Sequence, residues 1–416
     1  MRVLLLHQNF PAQFLHLAPA LVAAGHDVVA VGRRSGPLAQ PLLEAGPGRV
    51  RWLASGGDVA QELRDPDPAR RLLAPWQQGR RVAAALAPLA AEGWRPDVAV
   101  AHSFWGDALL LDDVFPGVPL VALLELDLSS PRLTSPNRNA PAAGAGRQLQ
   151  QWADAIAIRR MAVGLCASRF QRDSHPAWLH PRLRVIHEGV DLEACCPDPL
   201  ARLRLPGGLA LGPESMVLSF AARSLEPLRG LDRLLAVLPA LQRRLPGLQV
   251  VLAGARDRGC YSGQPPGDGS WLAHLLRRHG AGLDHSRLHA PGMLSADQLR
   301  DLFRISRVHA YLSRPYVPSW SLAEAMACGV PVVAARDAGA DELVLDGVTG
   351  ALVDADDPGA LLQALVPLLE QPALAAPLRL GGRRHIAARF DRRRCVAAQI
   401  ALLEAVAQGQ DPPLTP

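Results

Sequence analysis

The sequence predicts an α/β protein made of two Rossmann-like domains with parallel sheets. Strand-like and helix-like segments alternate from residue 1 to about residue 190, the alternation starts again at residue 216, and a stretch rich in proline and glycine separates the two series. Strands that alternate with helices form parallel sheets with right-handed crossovers. Ligands of such sheets bind beyond the carboxyl ends of the strands. We therefore expect two domains that face each other across a cleft.

The first domain begins with a strand, a helix and a second strand. The segment RVLLLHQNF predicts a buried strand that ends in a polar loop, and HDVVAVG predicts the second strand. Between them, PAQFLHLAPALVAAG has apolar residues at helical spacing, with Pro11 suited to the first turn and Gly25 to the C-terminal cap. The series continues with a helix through ALLLDDVF and with strands in PDVAVAHS, VPLVALLEL, MAVGLCAS and LRVIHEGV.

The second domain begins with the strand MVLSFAARS at residues 216–224. It continues through the helix LDRLLAVLPALQRRL, the strand LQVVLAGA and further strand and helix pairs. The predicted domain boundaries are 1–195 for the N-terminal domain, 196–213 for a linker and 214–390 for the C-terminal domain. In residues 391–416, the helix CVAAQIALLEAVA is expected to pack back on the first domain before a frayed tail.

The basic residues exclude several classes of function. All 44 are arginine, because the sequence contains no lysine. A Walker-type phosphate loop and a phosphorylase with a pyridoxal Schiff base both need lysine, so both are excluded. The loop after the first strand has no glycine, which argues against a nicotinamide or flavin enzyme. The net charge of +5 is spread thinly and tyrosine occurs only three times, so no nucleic-acid partner is expected.

The six cysteines are scattered along the chain and form no CxxC pair. No His/Cys cluster has metal-ligand spacing, so we expect neither a metal nor a cofactor. Scattered single cysteines suit a reduced, cytoplasmic protein. The N-terminal apolar run is too short for a signal peptide, and no segment approaches the roughly 20 apolar residues of a membrane span.

One apolar helix carries a carboxylate near its start. In SWSLAEAMACG, Ser321 and Glu324 stand three positions apart. This spacing fits a capping box, in which Glu324 accepts a backbone N–H of its own helix. It also fits a ligand site, because a helix N-terminus attracts phosphate and a carboxylate can accept two vicinal ribose hydroxyls. The residues alone leave both interpretations open.

Two arginines flank a predicted strand-to-helix turn in FAARSLEPLRGLDRLL. Arg223 ends the first strand of the second domain and Arg229 precedes the next helix. Two guanidinium groups in this arrangement can clamp a diphosphate, although solvated surface charge is the alternative. Arg233 lies one helical turn further on and is expected to be exterior.

The second half of the chain resembles the glycosyltransferase family 4 group. The resemblance lies in AARSLEPLRG, PGMLSADQLRDLFRISRVHAYLS, SLAEAMACGVPVVAARDAGADELVLDGVTGALVDADDPGAL and FDRRRCVAAQIALLEAV. The first half matches more loosely through HQNFPAQFLHLAPALVAAGHDV and PDVAVAHSFWG. The resemblance implies a GT-B enzyme that moves a hexose from a nucleotide diphosphate sugar to an acceptor, with retention and without a metal. The acceptor, a glycan, a lipid-linked molecule or a small molecule, stays unidentified.

The resemblance also implies roles for individual residues. Arg223 and Arg229 would bind the donor diphosphate, Glu324 its ribose, and His102 would face the reacting sugar from the first domain. The expected catalytic residues are His102, Arg223 and Arg229. The expected donor-binding residues are Arg223, Arg229, Tyr316, Ser319, Ser321, Leu322 and Glu324. Candidates for contact with the sugar or acceptor are Asn9, Phe10 and Glu125.

Several positions depart from the family pattern. Tyr316 stands eight positions before Glu324, where the first of the family's paired glutamates is expected. Glu125 replaces a histidine, and in IHEGVDLEACCPD Glu188 replaces an asparagine. Pro318 interrupts a loop that is usually rich in glycine and donates no N–H. The alternative function is therefore a non-catalytic GT-B protein that binds a nucleotide sugar or a polysaccharide.

A basic amphipathic stretch occurs in the first domain. ARRLLAPWQQGRRVAAALAPLAA places Arg70, Arg71, Arg80 and Arg81 beside Trp76 and several leucines. Such a stretch can contact anionic lipid at the inner membrane face or a lipid-linked acceptor. A solvated helix face is the alternative.

Overall fold

A computed structural model of the chain describes residues 1–33, 50–130, 133, 141–257, 262–267, 269–336 and 339–411, with only the backbone described for 141–150. The chain divides into two compact units. Unit 1 comprises Met1–Gly189 and Arg392–Pro416, and unit 2 comprises Val190–Asp391. Each unit contains one large parallel sheet, which confirms the predicted fold class of two Rossmann-like domains.

The sheet of unit 1 has seven strands in the order β3-β2-β1-β4-β5-β6-β7, and every pairing is parallel. The strands are β1 (Arg2–Leu6), β2 (Asp27–Gly32), β3 (Val50–Ala54), β4 (Val98–His102), β5 (Leu120–Leu123), β6 (Val163–Cys166) and β7 (Leu183–Val185). The central strands β1 and β4 are buried almost throughout, as expected for a parallel sheet with both faces covered.

Helices cover the sheet of unit 1. They are α1 (Leu17–Ala23), α2 (Val59–Glu62), α3 (Pro68–Ala91), α4 (Leu111–Val114), α5 (Pro141–Arg160), α6 (Arg169–Ser174) and a C-terminal helix (Arg392–Ala407). The first of them starts later than the sequence suggested, because Pro11 precedes a short 3-10 turn and not α1. In the C-terminal helix, Leu402 and Leu403 are buried in one core with Val3 and Val98. This helix therefore belongs to unit 1.

The sheet of unit 2 has six parallel strands in the order β12-β11-β10-β13-β14-β15. They are β10 (Met216–Ser224), β11 (Leu248–Ala255), β12 (Leu288–Gly292), β13 (Val308–Tyr311), β14 (Val332–Ala335) and β15 (Ala351–Val353). The helices are α7 (Leu231–Arg244), α8 (Trp271–His279), α9 (Ala296–Ile305), α10 (Trp320–Ala327), α11 (Pro358–Glu370) and α12 (Pro372–Arg389).

The segment expected to be a linker, 196–213, is part of unit 2 in the structure. It forms an antiparallel pair of short strands, β8 (Leu203–Arg204) and β9 (Ala210–Leu211). Leu203 and Leu211 are buried in the core of unit 2. Burial of apolar side chains stabilises this pair, so the proline and glycine content marks turns and not a free linker.

In the part of the chain that the structure describes, no single helix has the length and apolar composition of a membrane span. Two consecutive helices, Pro358–Glu370 and Pro372–Arg389, reach that length and composition only when they are taken together, and the chain bends by 101° between them.

Candidate functional site

The loop after β10 and the loop after β13 meet at the carboxyl edge of the unit 2 sheet, where β10 and β13 are neighbours. After β10, residues Pro227–Arg229 form a 3-10 turn, and Gly230 follows with φ of 78°. A Cβ atom on Gly230 would lie 1.9 Å from the carbonyl oxygen of Leu312. Only glycine allows both the left-handed conformation and this close approach.

Arg314 joins the same two loops through hydrogen bonds. Its guanidinium donates to both carboxylate oxygens of Asp232, at 2.9 and 2.8 Å. Its backbone N–H donates to the carbonyl oxygen of Leu228 at 2.8 Å. A bidentate arginine–carboxylate pair fixes geometry as well as adding energy, so the turn that carries Arg229 is held in place.

Arg233 was expected to be exterior, and that expectation is wrong. Its side chain is buried and pairs with Asp356 through two hydrogen bonds of 2.8 and 2.6 Å. It also donates to the carbonyl oxygen of Leu312 at 3.0 Å. These acceptors draw the guanidinium inward, because a buried charge needs partners. Arg233 thus supports the loop after β13.

The structure brings Arg229 and Tyr316 together. Arg229 is 9% exposed, and its guanidinium carbon lies 5.2 Å from the centroid of the Tyr316 ring. This is cation–π distance. The ring of Tyr316 therefore covers Arg229, the side chain expected to bind the donor phosphates. Arg223 lies exposed at the end of β10.

Helix α10 does not start as the sequence suggested. Its N-cap is Ser319, whose hydroxyl accepts the Ser321 backbone N–H at 3.4 Å. Ser321 lies inside the helix, so the predicted capping box between Ser321 and Glu324 is wrong. A capping box does occur in unit 2, but it joins Ser295 and Gln298 at the start of α9.

For Glu324, the capping interpretation is wrong and the ligand-binding interpretation remains open. It lies beyond the first turn of α10, where it has no capping role. Burial raises the pKa of its carboxyl group, and the charge of Arg300 opposes that shift. A carboxylate that pays a desolvation cost without capping its helix is a candidate ligand-binding group.

Two of the expected contact residues have core side chains. Leu322 is fully buried in unit 2, and Phe10 is 1% exposed in unit 1. The ring of Phe10 packs on Trp52 with centroids 5.3 Å apart. Their side chains therefore stabilise the two units and do not present a surface to a ligand. Asn9, beside Phe10, is exposed, and its backbone N–H donates to His7.

At the carboxyl edge of the unit 1 sheet, two histidines end neighbouring strands. His102 ends β4 and His7 follows β1, and their ring centroids lie 5.2 Å apart. Nε2 of His102 lies 3.4 Å from Oε1 of Glu125, which follows β5. The amide of Gln13 donates to the same Glu125 oxygen at 3.2 Å. The structure thus unites the predicted residues His102 and Glu125.

The two histidines have opposite pKa shifts. Burial lowers the pKa of His7, and the nearby His102 lowers it further. Burial also opposes protonation of His102, but the hydrogen bond and charge of Glu125, with the charges of Asp154 and Asp107, outweigh it and raise the pKa. Only the side chain of Glu125 is accessible in this pair, at 40% exposed against 3% for His102.

Two acids near His102 were missed by the sequence reasoning, the buried Asp107 and the half-buried Asp154. Burial raises the pKa of Asp107 to about 6, although Gln78 donates to its carboxylate at 2.8 Å. Burial likewise raises the pKa of Asp154 to about 6. The position of Asp107 just beyond a buried strand could have identified it. Asp154 lies in a helix, and its sequence surroundings give no signal. Within the described ranges, no three His, Cys, Asp or Glu residues are arranged to hold a metal ion.

Both halves of the chain match family models. Residues 58–195 match the glycosyl transferase family 4 group, and residues 215–371 match the glycosyl transferases group 1.

Curated relatives cover part of the chain. A GDP-mannose-dependent alpha-(1-6)-phosphatidylinositol monomannoside mannosyltransferase of Mycolicibacterium smegmatis is 32% identical over 226 residues, which are 52% of this chain and 55% of the relative. A D-inositol 3-phosphate glycosyltransferase of Salinispora tropica is 32% identical over 289 residues, 65% of this chain and 55% of the relative. The chain spans about half the length of the curated relatives it matches.

Solved structures resemble the whole chain. Sucrose-phosphate synthase from Thermosynechococcus elongatus superposes with a TM-score of 0.74 at 19% identity, over 99% of this chain and 100% of that one. Anabaena HepE in complex with UDP-glucose gives 0.68 at 17% identity, over 96% and 99%. These similarities show the fold. The chain therefore has the GT-B fold, and its residues 58–195 and 215–371 resemble the glycosyltransferase domains that these two models describe.

Proposed function

We propose that the protein transfers a hexose from a nucleotide diphosphate sugar to an acceptor, and that unit 2 binds the donor. The observation that carries this proposal is the junction of the two loops in unit 2. The turn with Arg229 and the loop that leads to helix α10 are pinned together by Arg314, and Arg229 lies under Tyr316. A cation and a helix N-terminus at one sheet edge suit a diphosphate.

The chemistry follows from where charge develops. As the sugar leaves, negative charge grows on the nucleotide diphosphate. Arg229 and Arg223 stabilise this charge, and preorganised charges of this kind usually contribute most to the rate. Glu324 accepts hydrogen bonds from the ribose hydroxyls. The arginines supply the positive charge that a metal would otherwise provide, so the proposed transfer is independent of metal. Retention of configuration rests on the family resemblance.

Unit 1 contributes a proton-binding pair to the proposed reaction. His102 is buried and its Nε2 faces Glu125, so His102 positions Glu125 and holds its charge. Glu125 is the accessible group that contacts the acceptor or the sugar. The leaving diphosphate itself supplies negative charge in place of the glutamate that the resemblance leads us to expect at Tyr316.

Contact with a membrane is a secondary part of the proposal. On helix α3, the side chains of Leu73 and Trp76 are 48% and 44% exposed. Two of the neighbouring arginines already have partners, because Arg70 pairs with Asp65 and Arg81 with Glu62. The exposed apolar residues with Arg80 suit a peripheral contact with anionic lipid on the cytoplasmic side.

The test is a transfer assay with a panel of donors. The full-length protein is incubated with UDP-glucose, GDP-mannose and ADP-glucose and with a mixed panel of sugar, polyol and lipid acceptors, and products are identified by mass spectrometry. We expect one donor to yield a glycosylated product and an equal amount of nucleoside diphosphate. Saturable binding of a nucleotide sugar with neither transfer nor hydrolysis would instead establish the non-catalytic binding protein.

A further inference from the structure

Unit 1 contains a pocket at the carboxyl edge of strands β5, β6 and β7. Glu125 follows β5, Ala167 follows β6 and Glu188 follows β7, and all three line the pocket. The pocket is partly open to solvent, so a ligand can enter it from the surface of unit 1.

The floor of the pocket is apolar. Phe14 and Leu17 come from the region of α1, Leu165 comes from β6, and Ile186 comes from the residue after β7. All four are buried side chains of the unit 1 core. A rigid apolar floor can pack against the C–H face of a sugar ring or an alkyl group.

The polar groups of the lining are mainly hydrogen-bond acceptors. Besides Glu125 and Glu188, the lining includes the amides of Gln13, Gln171 and Gln399. The amide oxygen of Gln171 accepts from the Ser168 hydroxyl at 2.8 Å. The amide nitrogen of Gln13 already donates to Glu125 at 3.2 Å, and that of Gln399 donates to the carbonyl oxygen of His187 at 3.2 Å. Carboxylates only accept, so the partners that fit this lining are donors such as hydroxyl groups.

Among the residues that the structure describes, no arginine and no histidine line the pocket. His102 lies buried behind Glu125. His187 is next to Glu188 in sequence, and burial lowers the pKa of its ring to about 4, which leaves it neutral at pH 7. A phosphate placed here would meet two carboxylates and no cationic side chain of the lining. Like charges at close range repel strongly in a partly buried site.

We infer that this pocket binds the acceptor, and that the bound part of the acceptor is an uncharged, hydroxyl-bearing group with an apolar face and without a phosphate. Glu125 and Glu188 are the specificity-determining residues. The inference rests on the proposed function only in treating the pocket's ligand as the acceptor.

The experiment compares two ligands by isothermal titration calorimetry on the full chain, without donor. The uncharged probe is n-octyl β-D-glucopyranoside below its critical micelle concentration, and the charged probe is D-inositol 3-phosphate. We expect the wild type to bind the glycoside saturably and the phosphate at least tenfold more weakly. In the double variant Glu125→Gln and Glu188→Gln, the glycoside should bind at least tenfold more weakly and the difference between the probes should shrink or reverse.

Two further variants complete the design. Glu92→Gln removes a carboxylate of unit 1 that pairs with Arg51 and precedes β4, at the opposite edge of the sheet, and it should match the wild type for both probes. Glu188→Gln alone spares the contact of Glu125 with His102 and should show the same trend if the double variant does not fold.

Three results would overturn the inference. One is binding of D-inositol 3-phosphate by the wild type as tight as that of the glycoside. Another is an unchanged preference in both pocket variants, and the third is no saturable binding of the glycoside. None of these results depends on a donor. A wild type that binds the glycoside as expected but transfers no sugar would contradict the proposed function and leave the pocket assignment standing.

Discussion

The carboxyl edges of the two sheets carry different kinds of charge. In unit 1 the edge holds groups that titrate near neutral pH. The pKa values of the buried Asp107 and the half-buried Asp154 are raised to about 6, and the pKa of His102 is raised as well. In unit 2 the edge holds arginines, which stay charged at every physiological pH, and the N-terminus of helix α10.

This difference separates the two halves of the proposed reaction. A diphosphate keeps its negative charge at neutral pH, so permanent cations suit the donor side. An acceptor hydroxyl loses a proton during transfer, so groups that can exchange protons suit the other side. Donor binding should therefore depend on ionic strength and on the arginines of unit 2, whereas pH should act through unit 1.

Apart from the arginine variants, Glu324→Gln is expected to have the largest effect on the affinity for the donor nucleotide. The variant should bind the donor nucleotide more weakly by about 1.5–3 kcal/mol, the usual contribution of hydrogen bonds to a charged group. Its melting temperature should be unchanged or higher, because Glu324 does not cap α10 and glutamine avoids the desolvation cost. Calorimetric titration and thermal unfolding measure the two quantities.

The control for Glu324→Gln is Glu370→Gln, at the end of α11, which should leave nucleotide affinity unchanged. A lower melting temperature for Glu324→Gln together with unchanged nucleotide affinity would assign the residue to stability alone.

The next effect is a pH dependence of stability at Asp107. Its pKa is about 6 in the folded protein against an ordinary value of 3.8, so the folded state binds more protons between these pH values. Stability contributed by this group is present below pH 4 and is lost as pH rises through 6. Asp107→Asn should therefore stabilise the protein above pH 6 by up to about 3 kcal/mol, and much less at pH 4.

Urea unfolding at pH 4.5, 6 and 7.5 measures the difference between Asp107→Asn and the wild type. Asp113→Asn, an exposed position on α4, is the matched control. A stability difference that stays constant across the three pH values would show that burial does not raise the pKa of Asp107.

A smaller effect is expected for Tyr316→Phe. The variant keeps the ring over Arg229, so nucleotide affinity should stay within about twofold of the wild type. If the hydroxyl group contacts the transferred sugar, its loss should raise the activation free energy of transfer by about 0.5–1.5 kcal/mol and so lower the transfer rate. Steady-state kinetics separate the two quantities. A loss of nucleotide affinity with an unchanged rate would place the hydroxyl at the nucleotide instead.

The smallest effect concerns the exposed face of α3. Cosedimentation with vesicles that contain anionic phosphatidylserine at low salt should fall when Leu73 and Trp76 are both replaced by serine. Vesicles of neutral phosphatidylcholine are the control. No difference between the two vesicle types for the wild type would remove the membrane contact and leave a solvated helix face.

The sequence predicted the central strands of both sheets but missed one edge strand of each. Central strands such as β1 and β4 are almost continuous apolar runs because both faces of the sheet are covered. The strands β3 and β12 were not predicted. Each lies at one edge of its sheet and has partly exposed residues, so no apolar run marks it.

Candidate site residues could be predicted where the sequence pattern is local, and not where the fold creates the contact. Arg229 and His102 were predicted because each lies at a strand end or a helix start. The burial of Arg233 depends on Asp356, which is far away in sequence. Helix α10 starts at Trp320 with Ser319 as its N-cap, whereas the sequence suggested a cap at Ser321. Helix ends are poorly defined by sequence alone.

The central claim is that unit 2 binds a nucleoside diphosphate through the permanent charge of Arg229. The direct measurement is isothermal titration of UDP and uridine, and of GDP and guanosine, into the wild type, Arg229→Ala and the control Arg244→Ala. Arg244 is a surface arginine that pairs with Glu370. We expect Arg229→Ala to lose diphosphate affinity by about 1.5–3 kcal/mol with nucleoside affinity unchanged, and Arg223→Ala to show a smaller loss of the same kind. Equal losses for the diphosphate and the nucleoside, or no loss for either, would contradict the claim.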